Sequence, residues 1–326
     1  MKTIPKELLQ TVADGQFYSG ERLGELLGVS RVAVWKQLQK LSELGLQFES
    51  VKGRGYRLLQ PIEWLSAEGI KAHLQSEFVP DLQVYDVLDS SNAELLRQLN
   101  QSLKPAKGSC VMAERQEAGR GRRGRQWISP YARNIYFSMS WDFDQGVASL
   151  SGLSLVVGLA VLKALNRLYP LPFQLKWPND ILLHNKKLAG ILLEVVGDST
   201  GLCHVVMGIG INVNWRDKVQ AAEISQAWLC LAEVLGHDVN RNELIAAMID
   251  ELLIALPAFE QAGFAPFQQA WQAYDAFLHE DVAVQMGERF VFGRSQGVNS
   301  EGELLLETDV GVQTFNGGEV SLRRMS

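Results

Sequence analysis

Residues 150–165, LSGLSLVVGLAVLKAL, constrain this chain more than any other stretch. A segment so apolar has to leave water, and only a bilayer or the middle of a large core accepts it. A bilayer needs about 20 consecutive apolar residues, and Ser151, Ser154 and Lys163 interrupt this run. A helix over 150–168, covered on all sides by a soluble domain, is therefore expected. The chain has the material to cover it: 326 residues, 47% hydrophobic and 21% charged, enough for two or three domains. Its start, MKTIPKELLQ, lacks the apolar region of a secretory signal. Cys110, Cys203 and Cys230 lie far apart with no C-x-x-C pair. That speaks against a disulfide framework or a zinc site, and for a reducing cytoplasm.

Charge divides the chain. The first sixty residues carry nine Lys or Arg against six Asp or Glu, net +3 within a total of −6, which leaves −9 to the remainder. In this basic part Leu8, Leu9 and Val12 mark a helical face stopped by Gly15. Ser19 is placed to cap a second helix with Leu23, Leu26 and Leu27 on its apolar face. Gly28-Val29 makes a turn, and Ser30 caps a third helix with a stripe of Val34, Leu38 and Leu41 that ends at Gly45. FESVKGRGYRLL then reads as a hairpin with a basic tip. The order resembles a winged helix-turn-helix domain, here residues 1–60, whose second paired helix lies in the major groove. Its outward face offers Arg31, Lys36, Gln37, Gln39 and Lys40, and the wing offers Lys52, Arg54 and Arg57 to phosphates. Trp35 is expected to pack beside Leu38, with an exposed position against DNA as the alternative. Operator DNA is the expected partner, and a charge of only +3 points to a homodimer on a two-part site. A protein-docking module with a solvated charged face is the blander alternative.

Pro61 breaks the pattern, so 61–66 is expected to be a linker, followed by a helix from Ser66 with Ile70 and Leu74 apolar. Strands are expected at 82–88, 109–115 and 134–141, with a helix capped near Ser90–Ser91; a helix N-terminus after a strand suits an anion. After the apolar helix come more strands, with HNKK and GDSTG as hairpin turns. Hairpins make the sheet partly antiparallel, which argues against a doubly wound parallel fold. The tail alternates short strands with Gly-rich turns about every ten residues, the pattern of a small β-barrel over 275–326.

One loop stands out in the acidic part: EAGRGRRGRQW, Glu117 to Trp127. It is no P-loop, since G-x-x-x-x-G-K-[ST] occurs nowhere, and it opens no Rossmann helix. Its glycines admit close approach of an anion and its guanidinium forks match carboxylate and phosphate. It is expected to be loose when empty and ordered by ligand. Taken alone, an RNA-binding or merely solvated loop fits equally well.

The loop has company. DSSN (89–92), ERQEAGRGRRGRQW (114–127), KWPND (176–180), KKLAGIL (186–192) and GIGINVN (208–214) follow one another in order. This series closely resembles the biotin–protein ligase family. With the winged helix in front, the whole chain resembles the family's bifunctional members, which are also biotin-operon repressors. The resemblance breaks at Ser91, where the family usually has threonine; the hydroxyl survives and a methyl contact is lost.

The resemblance implies an α/β (α+β) multidomain fold: the winged helix-turn-helix, a catalytic domain at 67–274 with a mixed sheet like that of class II aminoacyl-tRNA synthetases, and an SH3-like barrel at 275–326. It implies ATP with Mg²⁺, biotin as substrate, biotinyl-5′-AMP as intermediate and corepressor, and transfer to a biotin carboxyl carrier protein. By motif, Lys187 and Arg122 are the catalytic cations. Ser90, Ser91, Asn92, Gln116, Gly119, Arg120 and Gly121 join them around biotin. Arg125, Trp127, Lys176, Asn179, Asp180, Asn212 and Arg323 fall to the nucleotide, with Asp180 also a candidate Mg²⁺ ligand. Loops 114–130 and 213–222 are expected to order on adenylate binding and favour a homodimer. A lipoyl or octanoyl ligase on the same fold, or a non-catalytic ligand-sensing repressor, would share much of this pattern.

Overall fold

The computed structural model describes residues 6–101, 107–197, 201–217, 224, 226–317 and 320–324. The chain opens with α1 (Lys6–Val12), α2 (Gly20–Leu27) and α3 (Arg31–Ser42), then the hairpin β1 (Phe48–Val51) and β2 (Gly55–Leu58). Both serine caps form: Ser19 Oγ accepts from the Arg22 N–H and Ser30 Oγ from the Ala33 N–H. Gly28 ends α2 at φ 64, a left-handed turn that a side chain would strain. Leu8, Leu9, Leu23, Val34, Leu38 and Leu41 close a core. Two expectations fail here. Leu26 is 56% exposed and Trp35 46% exposed. Each residue turns a helix by about 100°, so Trp35 is swung off the Val34–Leu38–Leu41 stripe and Leu26 off the side holding Leu23 and Gly24.

This domain is seated on the next one. Tyr131 and Ala132 belong to its buried cluster, and Lys6 pairs with Asp86 at 3.2 Å. The expected linker is bolted down. Arg133 donates to the carbonyls of Gln60 and Pro61 at 2.9 and 3.1 Å. Arg241, 1% exposed, bridges the Glu63 carbonyl at 2.5 Å and Glu114 Oε2 at 2.7 Å, while Glu114 Oε1 accepts from the Leu65 N–H.

The central domain continues with α4 (Ala67–Lys71), β3 (Leu82–Leu88), α5 (Ser91–Asn100), β4 (Cys110–Gln116), β5 (Ile135–Phe143), α6 (Leu153–Leu168), β6 (Phe173–Lys176), β7 (Asp180–Leu183), β8 (Lys186–Gly197), β9 (Cys203–Ile211), α7 (Leu231–Leu235), α8 (Arg241–Ala262) and α9 (Gln268–Gln272). Its sheet runs β3-β4-β5-β9-β8-β7-β6, parallel between β3 and β4 and antiparallel elsewhere. The HNKK turn is present, with His184 and Asn185 at φ 50 and 59; the GDSTG turn falls on 198–200, outside the described residues.

The apolar helix begins at Leu153, later than expected. Gly152 stands at φ 78, and a Cβ on it would lie 2.6 Å from Phe264, so the turn at 147–150 is a separate piece. With that turn the segment matches a membrane span in length and mean hydropathy (22 residues, 1.9). It is instead packed between the sheet and α8, with 11 of the 16 residues of α6 buried. On the opposite face α5 sets Leu95 against Val111 and Val206. The chain ends in β10 (Asp281–Met286), β11 (Arg289–Val298), β12 (Leu304–Thr308), β13 (Gly311–Phe315) and β14 (Val320–Arg324), an antiparallel sheet ordered β13-β12-β11-β10-β14. Trp177 Nε1 donates to the Gly302 carbonyl and ties this barrel to the central domain.

Candidate active site

Alternation along β8 and β9 builds the floor of the site. Ile191, Ile209 and Ile211 point into the core, so Gly190, Gly208 and Gly210 share the other face. A side chain at these positions would collide with what lies there. A Cβ on Gly210 would come within 2.5 Å of the Trp127 ring, and one on Gly208 within 2.3 Å of Asn92 Oδ1. The glycines of KKLAGIL and GIGINVN thus make room for side chains of two other motifs. The result is a cavity of about 830 Å³.

Fifteen of the sixteen small-molecule residues expected from sequence line that cavity, the exception being Gly119. Gly119 is required by packing, since a Cβ there would lie 2.4 Å from the Trp127 carbonyl. The Arg/Gly loop is braced by its own backbone: Trp127 N donates to Gly119 O, and Gly121 N to Arg125 O at 2.7 Å. Arg123 and Gly124 make its turn at φ 58 and 69. The Gly121 N–H is thereby taken by the loop itself and is not offered to an anion.

At one end of the cavity a polar chain sits under the start of α5. Ser90 holds the N-cap position without a side-chain cap bond, and the first N–H, that of Ser91, donates to Gln116 Oε1 at 2.8 Å. Ser138 on β5 touches Ser91 Oγ at 2.7 Å and Asn92 Oδ1 at 2.6 Å. Asp89 faces outward, where hydrogen bonds from Arg97 hold its carboxyl down to about 2.

At the other end cations gather. Lys187 Nζ lies 2.7 Å from Asp180 and 5.5 Å from the Trp127 ring centre. Arg122 donates to Asn179 Oδ1 at 3.0 Å and to the Gly317 carbonyl of the barrel. Burial pulls the Arg122 and Lys176 pKa values below their ordinary range, and the neighbouring cations push the same way against Asp180. Asp180 is the one carboxylate on this lining among the described residues. A desolvated cluster with so little internal counter-charge is poised for anions. Asp180, the candidate Mg²⁺ ligand, is paired with Lys187, and no group of three His, Cys, Asp or Glu stands together among the described residues.

Arg125 and Arg323 are exposed on the rim, and Arg120 pairs with Glu194 at 3.1 Å. Asn212 Oδ1 faces Asn134 at 3.5 Å. Among the lining residues that were not anticipated, three stand out. Tyr136 opposes Gly210 across β5 and β9 and was open to discovery by strand alternation. Leu322 arrives with the barrel. Trp228, stacked on Trp215 at 5.0 Å, belongs to no recognised motif; residues 227–229 run beside Lys187, whose N–H donates to the Ala227 carbonyl. Of the loop 213–222, residues 218–222 lie outside the described residues.

On the first domain Arg31, Lys36 and Lys40 of α3 and Lys52 and Arg54 of the wing are exposed, and Gln37 is half-buried. Arg54 lies over the Phe17 ring at 4.0 Å. Arg57 pairs with Glu49 at 2.6 Å, which makes it a poorer phosphate ligand than expected.

A polar pocket at one end, a cation cluster at the other and a DNA-type domain alongside define an anion-joining enzyme with a second, DNA-directed surface. Family comparisons agree along the chain. Residues 84–212 match the biotin/lipoate A/B protein ligase family, 6–57 a helix-turn-helix domain and 278–323 the biotin protein ligase C-terminal domain. The bifunctional ligase/repressor BirA of Escherichia coli is 42% identical over 98% of both chains, and that of Bacillus subtilis 29% identical over 98% of this chain and 99% of its own. The Aquifex aeolicus biotin protein ligase solved with biotin and ATP superposes with a TM-score of 0.66 at 32% identity, over 75% of this chain and 99% of its own. The chain belongs to the biotin protein ligase family, in its bifunctional ligase/repressor branch.

Proposed function

We propose that this protein activates biotin with ATP to biotinyl-5′-AMP, passes the biotinyl group to a lysine of a biotin carboxyl carrier protein, and represses transcription through its first domain. The observation that carries the reading is the pairing of a glycine-floored polar pocket with a buried cation cluster in one cavity. In the first step a biotin carboxylate oxygen bonds to the α-phosphorus of ATP and the bond to pyrophosphate breaks. Both reactants are anions, so the barrier is largely repulsion, and preorganised cations in a dry site lower it. Lys187 exchanges Asp180 for the oxygens where carboxylate and α-phosphate meet. Arg122 holds the same oxygens and, anchored to Asn179 and Gly317, retains the adenylate. Trp127 offers its ring, and Lys176, Asn179, Asn212, Arg125 and Arg323 serve the nucleotide. Mg²⁺ would accompany ATP and neutralise charge on its phosphates, and Asp180 is the lining carboxylate that could help hold it. In the second step a carrier lysine amine attacks the acyl carbon and AMP leaves with the bonding pair.

Ser90, Ser91, Asn92 and Gln116 receive the ring of biotin. The three cysteines are free and buried, in keeping with work in the cytoplasm. Adenylate acts as corepressor by favouring a homodimer whose paired α3 helices meet the operator; that requires adenylate to bind the dimer more tightly than the monomer. The deciding experiment offers the protein ATP, biotin or lipoate, and an unmodified carrier domain. Biotin transfer with AMP release is expected. Transfer of lipoate alone, or binding of biotin without turnover, would overturn the reading.

A further inference from the structure

We propose that Glu194 is a positioning residue: it fixes the direction of every proton in a buried chain ending at Ser91, so that the Ser91 oxygen faces the substrate ring as an acceptor. The inference rests on biotin being the substrate.

Glu194 lies on β8, on the same face as Leu192 but one pleat beyond it. Leu192 lines the cavity, and Glu194 stands behind it. Its Oε2 accepts from Asn92 Nδ2 at 2.8 Å and its Oε1 from Arg120 at 3.1 Å. A carboxylate accepts and does not donate, so Asn92 must turn its NH₂ toward Glu194; the Leu192 carbonyl on that side, at 3.4 Å, leans the same way but is too distant to fix the choice alone. Asn92 Oδ1 then faces Ser138, whose hydroxyl donates to it at 2.6 Å. Ser138 has one proton, now committed. Its 2.7 Å contact with Ser91 Oγ therefore requires Ser91 to donate. The Ser91 proton is committed in turn, and toward everything else that oxygen is an acceptor. Gln116 Oε1, 3.1 Å from Ser91 Oγ, competes for that proton, but it is already served by the Ser91 backbone N–H at 2.8 Å, and a hydroxyl proton spent there would leave the Ser91 oxygen an acceptor toward the substrate all the same.

Three features keep the chain in this state. Ser138, Asn92 and Ser91 are 0, 3 and 4% exposed, so water does not reorder their protons. Gly208 lets Asn92 lie flat on β9. Linked hydrogen bonds in a dry site also reinforce one another. The cyclic urea of biotin carries ring N–H donors, and a donor needs an oxygen without a proton in its path. A hydroxyl alone could face it either way. With Glu194 at the end of the chain, one orientation is selected before the substrate arrives.

The test is steady-state kinetics of the full chain for biotin and for ATP, with E194Q, S138A and the double variant. A glutamine can present either end of its amide, so the chain loses its fixed direction. E194Q should raise KM for biotin about tenfold, the scale of one hydrogen bond. It should leave kcat and KM for ATP within about twofold and the melting temperature in place. It should also narrow the preference for biotin over an analogue methylated at the ring nitrogen. In the S138A background the chain is already cut, so E194Q should add little. Wild-type KM for biotin in a folded E194Q, or a penalty of equal size in both backgrounds, would overturn the proposal. Should E194Q not fold, S138A alone must raise KM for biotin, and an unchanged value overturns it equally. If the wild type charges the carrier with lipoate and ignores biotin, the functional reading fails instead, and that outcome is separate from both.

Discussion

Two regions of this molecule hold cations, and they hold them in opposite ways. On α3 and the wing Arg31, Lys36, Lys40, Lys52 and Arg54 are exposed, and none is ion-paired among the described residues. In the cavity Lys187 rests on Asp180, Arg122 on Asn179 and Gly317, and Arg120 on Glu194. Solvated cations attract a polyanion by releasing its counterions, an additive effect that salt weakens. Partnered cations act through short contacts, and where they are half-buried, as Lys187 and Arg122 are, the lower dielectric makes each worth more and placement matters. Residue type does not separate these uses; burial and prior partners do. The Arg/Gly loop looks like a nucleic-acid binder in sequence because its partners lie elsewhere in the chain.

The largest expected effect concerns the joint between the regions. Glu114 and Arg241 are 4 and 1% exposed, and together they grip the segment that leads from the first domain. Glu114→Ala strands a buried guanidinium, which costs about 3–5 kcal/mol. Denaturant unfolding should show the loss, with the first domain melting earlier than the ligase core. An unchanged midpoint would mean that the two regions are independent. Next comes Lys187→Ala, expected to remove about 3 kcal/mol of transition-state stabilisation, or 10²- to 10³-fold in adenylate formation. Biotin-dependent ATP–pyrophosphate exchange measures it, and exchange within a few-fold of wild type would move Lys187 out of the chemistry.

Much of this was legible in the sequence, and the failures share a cause. Helix stripes, caps and turns are local, so the winged helix-turn-helix, the core helix and the hairpins could be read. The motif glycines and cations marked the cavity because they recur together. What escaped depends on distant partners. The linker's anchorage could not be seen, because Arg241 lies 178 residues from Glu63. The break at Gly152 is set by Phe264. Trp228 lines the site and Glu194 backs it from positions that no motif marks. The outward turn of Trp35 is a matter of helix phase, which a stripe of only three residues, Val34, Leu38 and Leu41, resolves poorly.

Arg122→Gly is a smaller and more selective probe of the cavity. It removes two hydrogen bonds from a charged donor, to Asn179 and to the barrel at Gly317, and leaves Lys187 in place. Adenylate synthesis should persist within about tenfold. Release of preformed adenylate should accelerate about 10- to 100-fold, the scale of a charged hydrogen bond. A filter-binding chase with unlabelled biotin and ATP reads the rate. Slower release would show that Arg122 opposes, rather than supports, retention.

The smallest effects belong to the exposed region, and they should add. Lys36→Ala and Lys40→Ala each remove one solvated charge from α3. If each meets one phosphate, either change should lower the slope of log affinity against log salt by about 0.9 for every copy of the chain on the DNA. The double change should lower it by the sum, because neither lysine has a protein partner through which to couple. Adenylate synthesis should be untouched in all three variants. Titration of operator DNA at several salt concentrations, run beside the exchange assay, tests both halves of the contrast. An unchanged slope would place these lysines off the DNA. A slope that falls together with ligase activity would show that cations in the two regions do not act separately, and the joint at Glu114 and Arg241 is where their coupling would then be sought.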